Sequence, residues 1–405
     1  MHDERATTKT KTGISYLPDE LVSEILPRLP VESLLRFRSV CKAWRGIIDE
    51  DSFHREHLRL QTTSLLVAPW IGENDDDGSL ASSIGEVTAA GAATLLHAVS
   101  DCRSKKNALH SMAHCDGLVL LPSGSTVHVV NPATRRTLTL PPTRTTPPDV
   151  GPVVNRFAPG AQAFGLGQDP RYNAYKVARF YTYLDVRAPA THYYTAKMGV
   201  FTIGTDLCWR DTAAAPPHHQ VMPHRTATFF RGSLLWTVVQ GGLHETPLAP
   251  SFVRFRLEDE SFSIVPAPPC TPRFNYKSSR LSELHGELCV CARAASDFGV
   301  LEMWTMCGDL DDGSHPPHWD LRRVIRGPFS FRSCMPMTAT PDVVMFHFAT
   351  YYLYNYDLQS PINNDLIEMK RLRYHQLGTD KFVEFTEKNI ADLYVVPYVP
   401  SLVRI

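Results

Sequence analysis

The 405-residue sequence predicts a small all-α unit of three helices followed by a large all-β domain, a β-propeller of about six blades. Three observations predict it. Apolar residues recur at helical spacing only near the start of the chain, before about residue 62. Beyond that point, turn pairs and alternating aliphatic and aromatic runs take over, with 31 prolines where an average chain carries roughly 5%. The β-type segments also repeat, at intervals of roughly 50–70 residues. The boundaries that follow are a polar tail at 1–13, the helical unit at 14–60 and the β domain at 61–405. An acidic, Gly/Ala/Ser-rich stretch near 71–93 reads as a flexible loop within the β domain.

In the first helix, Leu21, Val22, Ile25, Leu26 and Leu29 form one broad apolar stripe. Pro18 suits the first turn, Asp19 and Glu20 favour the positive end of the helix dipole, and Pro27 and Pro30 end the element. A second short helix holds Leu34 and Leu35. A third, opening near Ser39 as N-cap, carries Val40, Trp44, Ile47 and Ile48 on one face. Cys41 reads as a small buried hydrophobe, and His54 and His57 fall at the exposed exit of the third helix. Arg36, Arg38, Lys42 and Arg45 read as a solvated face. So small a unit has more apolar surface than it can bury alone, with Leu17, Pro18, Leu34 and Leu35 left over. That surplus calls for a second surface, either the downstream domain or another protein.

In the β region, each repeat opens on a turn-and-strand element such as "CDGLVLL", "RGSLLWTVV" or "HGELCVCA". An alternating strand follows, and the unit closes on segments such as "RTLTLPP" or "FSIVPAPP". A single four-stranded blade cannot cover both of its faces, so blades stack around an axis and bury one another. Joining the first and last β segments in one blade would tie down both ends of the ring. A two-sheet β-sandwich is the alternative, since strand patterns alone do not dictate closure. Asn131 and Asp169-Pro170 with Asn173 read as turns, Gly165 and Gly167 as close strand approaches, and Trp209, Trp236, Trp304 and Trp319 as blade core.

Composition excludes several functions. A formal net charge of −1 offers no electrostatic case for nucleic acid or an anionic membrane. The longest apolar run, "VVMFHFATYYLYNY", is too short to span a bilayer, and the polar N-terminus has no signal-peptide core. Nine irregularly spaced cysteines fit a reduced cytoplasmic or nuclear protein. There is no nucleophile elbow, phosphate loop or zinc helix. Cys289-x-Cys291 has the wrong spacing for a zinc knuckle, His218, His219 and His224 sit in a Pro-rich loop, and "GDLDDG" lacks the ligand alternation of a Ca²⁺ loop. No catalytic residue, metal ligand or cofactor is assigned.

The segment "LPDELVSEILPRLPVESLLRFRSVCKAWRGII" resembles the F-box, in its plant form with the Leu-Pro opening, "RLP", "SLLRFR" and "VCKAW". Pro27 departs from the pattern, standing where relatives more often carry a helix-compatible residue. The resemblance implies a three-helix module that inserts into a Skp-type adaptor and links it to a cullin-RING ubiquitin ligase. The contact set it implies is Leu17, Pro18, Leu21, Ile25, Leu26, Pro30, Leu34, Leu35, Val40, Cys41 and Trp44. Further on, "HCDGLVLL", "VHVVNPATRRTLTLPP", "FGLGQDPRYNAYKVARF", "RGSLLWTV", "LSELHGELCV" and "YVPSLV" resemble the plant F-box-associated domain, in family order. This implies capture of a target protein, whose identity the residues leave open. Candidate capture loops are 181–194, 240–250 and 307–319, expected on one rim of the ring. Two rivals stay open: a propeller enzyme with a site assembled from several blades, and an F-box scaffold acting outside a ligase.

Overall fold

The computed structural model describes residues 18–71, 82–87, 93–99, 112–123, 126–142, 162–184, 194–222, 225–239, 249–269, 279–293, 300–311, 317–326, 335–340, 343–349, 352–357, 365–368, 372–375, 382–385 and 390–405. The chain divides into two compact units, Met1–Gln61 and Thr62–Ile405. Among the described residues, no helix is long and apolar enough to cross a membrane.

The first unit contains four helices where three were expected: α1 (Asp19–Ile25), α2 (Val31–Phe37), α3 (Lys42–Asp49) and α4 (Asp51–Leu60). Pro18 is the N-cap of α1, and Pro27 lies in a 3₁₀ turn, Leu26–Arg28, that ends it. Pro27 cannot donate to an α-helical ladder, so the chain tightens there. Ser39 is not a cap: its hydroxyl donates to the Arg36 carbonyl, whereas Cys41 in extended conformation caps α3, its Sγ accepting from the Trp44 N–H at 3.4 Å. Val40 therefore sits in the turn before α3 and not on its face. Val22, Leu26, Val31, Leu34, Ile48 and Phe53 form the core of this unit.

In the second unit, β1 (Ser64–Ile71), β2 (Ser82–Val87) and β3 (Ala93–Val99) join β26 (Ile390–Tyr398) in a blade ordered β26-β1-β2-β3. The next blade is β4 (Ala113–Cys115), β5 (Leu118–Ser123), β6 (Thr126–Asn131) and β7 (Arg136–Thr139). A third is β8 (Gln162–Asp169), β9 (Ala174–Leu184), β10 (Tyr194–Thr202) and β11 (Arg210–Asp211). The fourth is β12 (Thr228–Phe230), β13 (Ser233–Thr237), β14 (Ser251–Arg256) and β15 (Phe262–Pro266). The fifth is β16 (Arg280–Leu284), β17 (Glu287–Arg293), β18 (Val300–Cys307) and β19 (His318–Arg326). The sixth is β20 (Met335–Thr340), β21 (Val343–Ala349), β22 (Tyr352–Asp357) and β23 (Asp365–Glu368). A two-stranded ribbon, β24 (Leu372–His375) with β25 (Phe382–Phe385), lies beside β3.

All pairings are antiparallel, and β4, β8, β12, β16, β20 and β26 neighbour one another in a closed ring. The fold is thus a six-bladed β-propeller, closed by the last strand pairing with the first as their register shows from Ser64↔Tyr398 to Val67↔Val395. Closure removes the edges that an open sheet would expose. The stretch 71–93 is not one loop, because β2 lies within it between β1 and β3. Pairing on both sides satisfies the backbone of "SSIGEV" where composition alone signals a loop. The longest apolar run falls on β21 and β22, two paired strands of the sixth blade.

The cores lie between blades. Ala163, Ala178, Phe180, Met198 and Val200 of the third blade pack on Leu234, Trp236, Val253 and Phe255 of the fourth. On the other side, Phe164, Leu166 and Val177 meet Leu118, Leu120, Val127 and Val129 of the second. Adjacent residues such as Ala163 and Phe164 therefore serve opposite interfaces, the period-two alternation of a strand buried on both faces. All four tryptophans read as core belong to such interfaces. Trp209 and Trp319 also donate their indole N–H to the carbonyls of Pro141 and Pro266, each in the closing segment of the preceding blade.

The repeated openings are two-residue hairpins. Asp116-Gly117, Arg231-Gly232 and His285-Gly286 all have positive φ at both positions, the signature of a type I′ turn. At Gly117 an added Cβ would lie 2.6 Å from the Val399 carbonyl and against the Ser401 side chain. Those residues follow β26 and are held by Asn131, whose Nδ2 donates to the carbonyls of Ser401 at 3.1 Å and Val403 at 2.8 Å. The Asn131 Oδ1 also accepts the Thr134 N–H at 3.2 Å, as the turn reading expects. Gly117→Ala is expected to destabilise the propeller by about 1–3 kcal/mol, from backbone strain and displacement of the terminal segment. Thermal unfolding of the variant checks this; an unchanged midpoint would contradict it.

Candidate functional site

The surplus apolar surface of the helical unit is the first candidate. The broad stripe on α1 divides. Val22 and Leu26 turn inward, while Leu21 and Ile25, one residue earlier in each turn, are 45% and 47% exposed. On α2, Leu34 is fully buried and Leu35 half-buried. Val40 is 59% exposed, and Pro18, Pro30 and Cys41 are exposed as well. Trp44 is half-buried, edge-on to Phe37 at 5.4 Å between ring centroids.

The expected contact set thus separates into two groups. Leu26 and Leu34 belong to the unit's own core and do not offer a free surface, because their neighbours at helical spacing, Val22 and Val31, turn the same way. Pro18, Leu21, Ile25, Pro30, Val40 and Cys41 do offer one, with Leu35 and Trp44 at partial exposure. Leu17 lies outside the described residues. Cys41 is corrected from buried hydrophobe to exposed cap, since its sulfur accepts a backbone bond at the start of α3.

What closes the core is α4, which the sequence reading missed. Phe53 and His57, at i and i+4, point inward, and His57 is fully buried where an exposed position was expected. Its Nε2–H donates to the Leu29 carbonyl at 3.0 Å, tying α4 to the turn after α1, and its ring stacks on Phe53. Gln61 reinforces the tie by donating to the Pro27 carbonyl at 3.1 Å. The spacing Phe53, His57, Leu60 is the signal that could have revealed this helix; polar "HREH" masks it.

Burial holds the His57 imidazole below its ordinary pKa of 6.5, and its Nδ1 has no hydrogen-bond partner to receive a proton's charge. The unfolded chain therefore binds the proton more readily than the folded one. Stability from neutral His57 is fully present above about pH 6.5 and is lost as pH falls below it toward the depressed folded value. His57→Gln is expected to flatten this dependence. Far-UV circular dichroism between about pH 7.5 and pH 5.5 reads it, since among the described residues the helices belong to this unit alone. An equal pH slope in both proteins would contradict it.

The second candidate is the propeller rim. In each blade, the connections between first and second strands and between third and fourth strands lie at one rim; the remaining connections lie at the other. The loops within 181–194 and 240–250 join second and third strands, but that within 307–319 joins third and fourth. The three loops therefore do not share a rim, because antiparallel alternation sends the third to the opposite end. Residues 185–193, 240–248 and 312–316 lie outside the described residues. In the third loop, Asp311 accepts a bidentate pair from buried Arg254 of the neighbouring blade at 2.8 and 2.7 Å. That guanidinium holds the Asp311 carboxyl below its usual range. The residue joins two blades and is committed to structure.

Comparison with known proteins follows this division. Residues 14–59 match the family described as F-box-like, and residues 79–383 match the one described as F-box associated beta propeller domain. An F-box/LRR-repeat protein of Arabidopsis thaliana is 25% identical over 297 residues, covering 73% of this chain and 64% of that protein. A putative F-box protein of the same plant is 33% identical over 145 residues, covering 32% and 31%. A third, an F-box protein, is 23% identical over 320 residues, covering 73% and 70%. The chain thus spans less than two thirds of the length of the first two relatives. Among solved structures, apo AztD from Citrobacter koseri gives a TM-score of 0.37 at 10% identity, over 84% of this chain and 100% of that one.

Proposed function

The chain belongs to the F-box proteins that carry an F-box-associated β-propeller domain, and from that premise we propose that it is the substrate-receiving subunit of an SCF-type ubiquitin ligase. One observation carries this reading: the helical unit closes its own core through α4 and still presents the apolar stripe of Leu21 and Ile25, with Val40, to solvent. Such a surface on so small a unit fits a Skp-type adaptor as its partner. Pro18, Pro30, Leu35, Cys41 and Trp44 would border the contact, and a cullin-RING assembly would join through the adaptor.

The propeller would hold the target protein at the rim that bears the second-to-third-strand connections, since loops on a rigid scaffold can carry recognition without disturbing the ring. No residue of this chain then takes part in ubiquitin transfer. Its contribution is approximation, raising the effective concentration of target near the transfer machinery. The cytoplasm or nucleus is the proposed setting, in keeping with the free thiols of Cys41, Cys115, Cys208, Cys289, Cys291 and Cys307 among the described residues.

The experiment is recruitment. Full-length protein should co-purify with a cullin-RING complex only when the Skp-type adaptor is present. Adaptor binding without cullin recruitment would instead assign it a scaffold role outside a ligase.

A further inference from the structure

We propose that Cys307, His318 and Asp320 form a binding site for a zinc-class divalent cation where β18 gives way to β19. The register brings these residues together from three positions that no linear motif connects. Cys307 stands directly opposite His318, and Asp320, two residues on, shares the same sheet face. The donor atoms all lie within 4.8 Å of one another. Cys307 Sγ is 3.3 Å from Asp320 Oδ2, and His318 Nε2 is 3.7 Å from Asp320 Oδ1.

The two shorter separations run to different oxygens of Asp320, and a small side-chain rotation of these exposed groups would draw one donor from each residue, now within 4.8 Å, around one ion. Zinc–ligand bonds of about 2.0–2.3 Å place the donors of a tetrahedral site about 3.3–3.7 Å apart. Thiolate, imidazole and carboxylate are the donor types such an ion takes, and they favour it over Ca²⁺ or Mg²⁺, which prefer oxygen alone. His318 and Asp320 are exposed, leaving the fourth position to water. The other charges facing the site are Arg322, whose Nη2 lies 4.0 Å from the sulfur, and Glu287, which pairs with that guanidinium at 3.9 Å. In the metal-free site, the thiol donates its hydrogen to Asp320, and that carboxylate keeps the thiol above its ordinary range. Binding replaces this proton with the cation and releases it to solvent, without a change of oxidation state. The ion would staple the ends of β18 and β19 at the base of the connection that carries Asp311.

The test is titration of the full-length reduced protein with Co²⁺, followed by competition with Zn²⁺. The expected result is a thiolate-to-Co²⁺ charge-transfer band saturating at one equivalent, displaced by Zn²⁺ and absent from Cys307→Ser. His318→Ala should weaken binding by about tenfold or more, which covers the case in which the serine variant folds poorly. No thiolate band at about millimolar Co²⁺, or a band that persists undiminished in both variants, would overturn the proposal.

Discussion

Replacing Leu21 and Ile25 together by aspartate is expected to weaken binding of a Skp-type adaptor by at least about a hundredfold while leaving the protein folded. The two side chains lie on the outer stripe of α1, 45% and 47% exposed, so the folded unit loses little by their removal. In a complex, the same positions would bury a carboxylate against an apolar partner. Desolvating an unpaired charge adds to the loss of apolar contact. Val22 and Leu26 are the controls, because they sit one residue later in each turn and are 3% and 2% exposed. Alanine at either should unfold the helical unit, reducing helical circular dichroism together with binding. If the aspartate pair binds normally, the outer stripe is not the contact.

Lys176→Ala is expected to destabilise the propeller by about 3–5 kcal/mol. Asp169 is fully buried, and the Lys176 ammonium lies 2.7 Å from its Oδ2. The same ammonium donates to the Leu257 carbonyl at 2.7 Å and lies 3.4 Å from Glu260, both in the next blade. Removing the lysine would leave a buried carboxylate with no counter-charge at 2.7 Å, and would remove one of the polar ties between the third and fourth blades. Combining Lys176→Met with Asp169→Asn should recover at least half of the loss, because the uncompensated charge goes too. Urea unfolding followed by tryptophan fluorescence measures both effects. A single variant within about 0.5 kcal/mol of the wild type would show that the pair contributes nothing net.

Much of this architecture is legible in the residues. The "DG", "RG" and "HG" turns mark the first hairpins of three blades because only a few residue pairs accept two positive φ values in succession. Gly165 shows the same logic on a strand: a Cβ there would meet the Ala227 side chain at 2.8 Å. What eluded the sequence depends on partners far along the chain. His57 looks like a surface histidine until the Leu29 carbonyl, 28 residues earlier, is brought to it. Cys41 looks buried because cysteine usually is, yet its sulfur is used as a cap. The two-sided character of α1 was hidden in its density: neighbouring leucine-type residues at i and i+1 cannot both face one core. The rim assignment failed for a different reason, since loop length says nothing about strand direction.

The measurement that bears most directly on the account is size-exclusion chromatography of the full-length chain co-expressed with a Skp-type adaptor. A single co-eluting species with one copy of each protein is the predicted result, and the Leu21→Asp, Ile25→Asp variant should elute apart from the adaptor. A soluble wild-type chain that elutes apart from the adaptor would contradict it, and the exposed stripe on α1 would then need another partner.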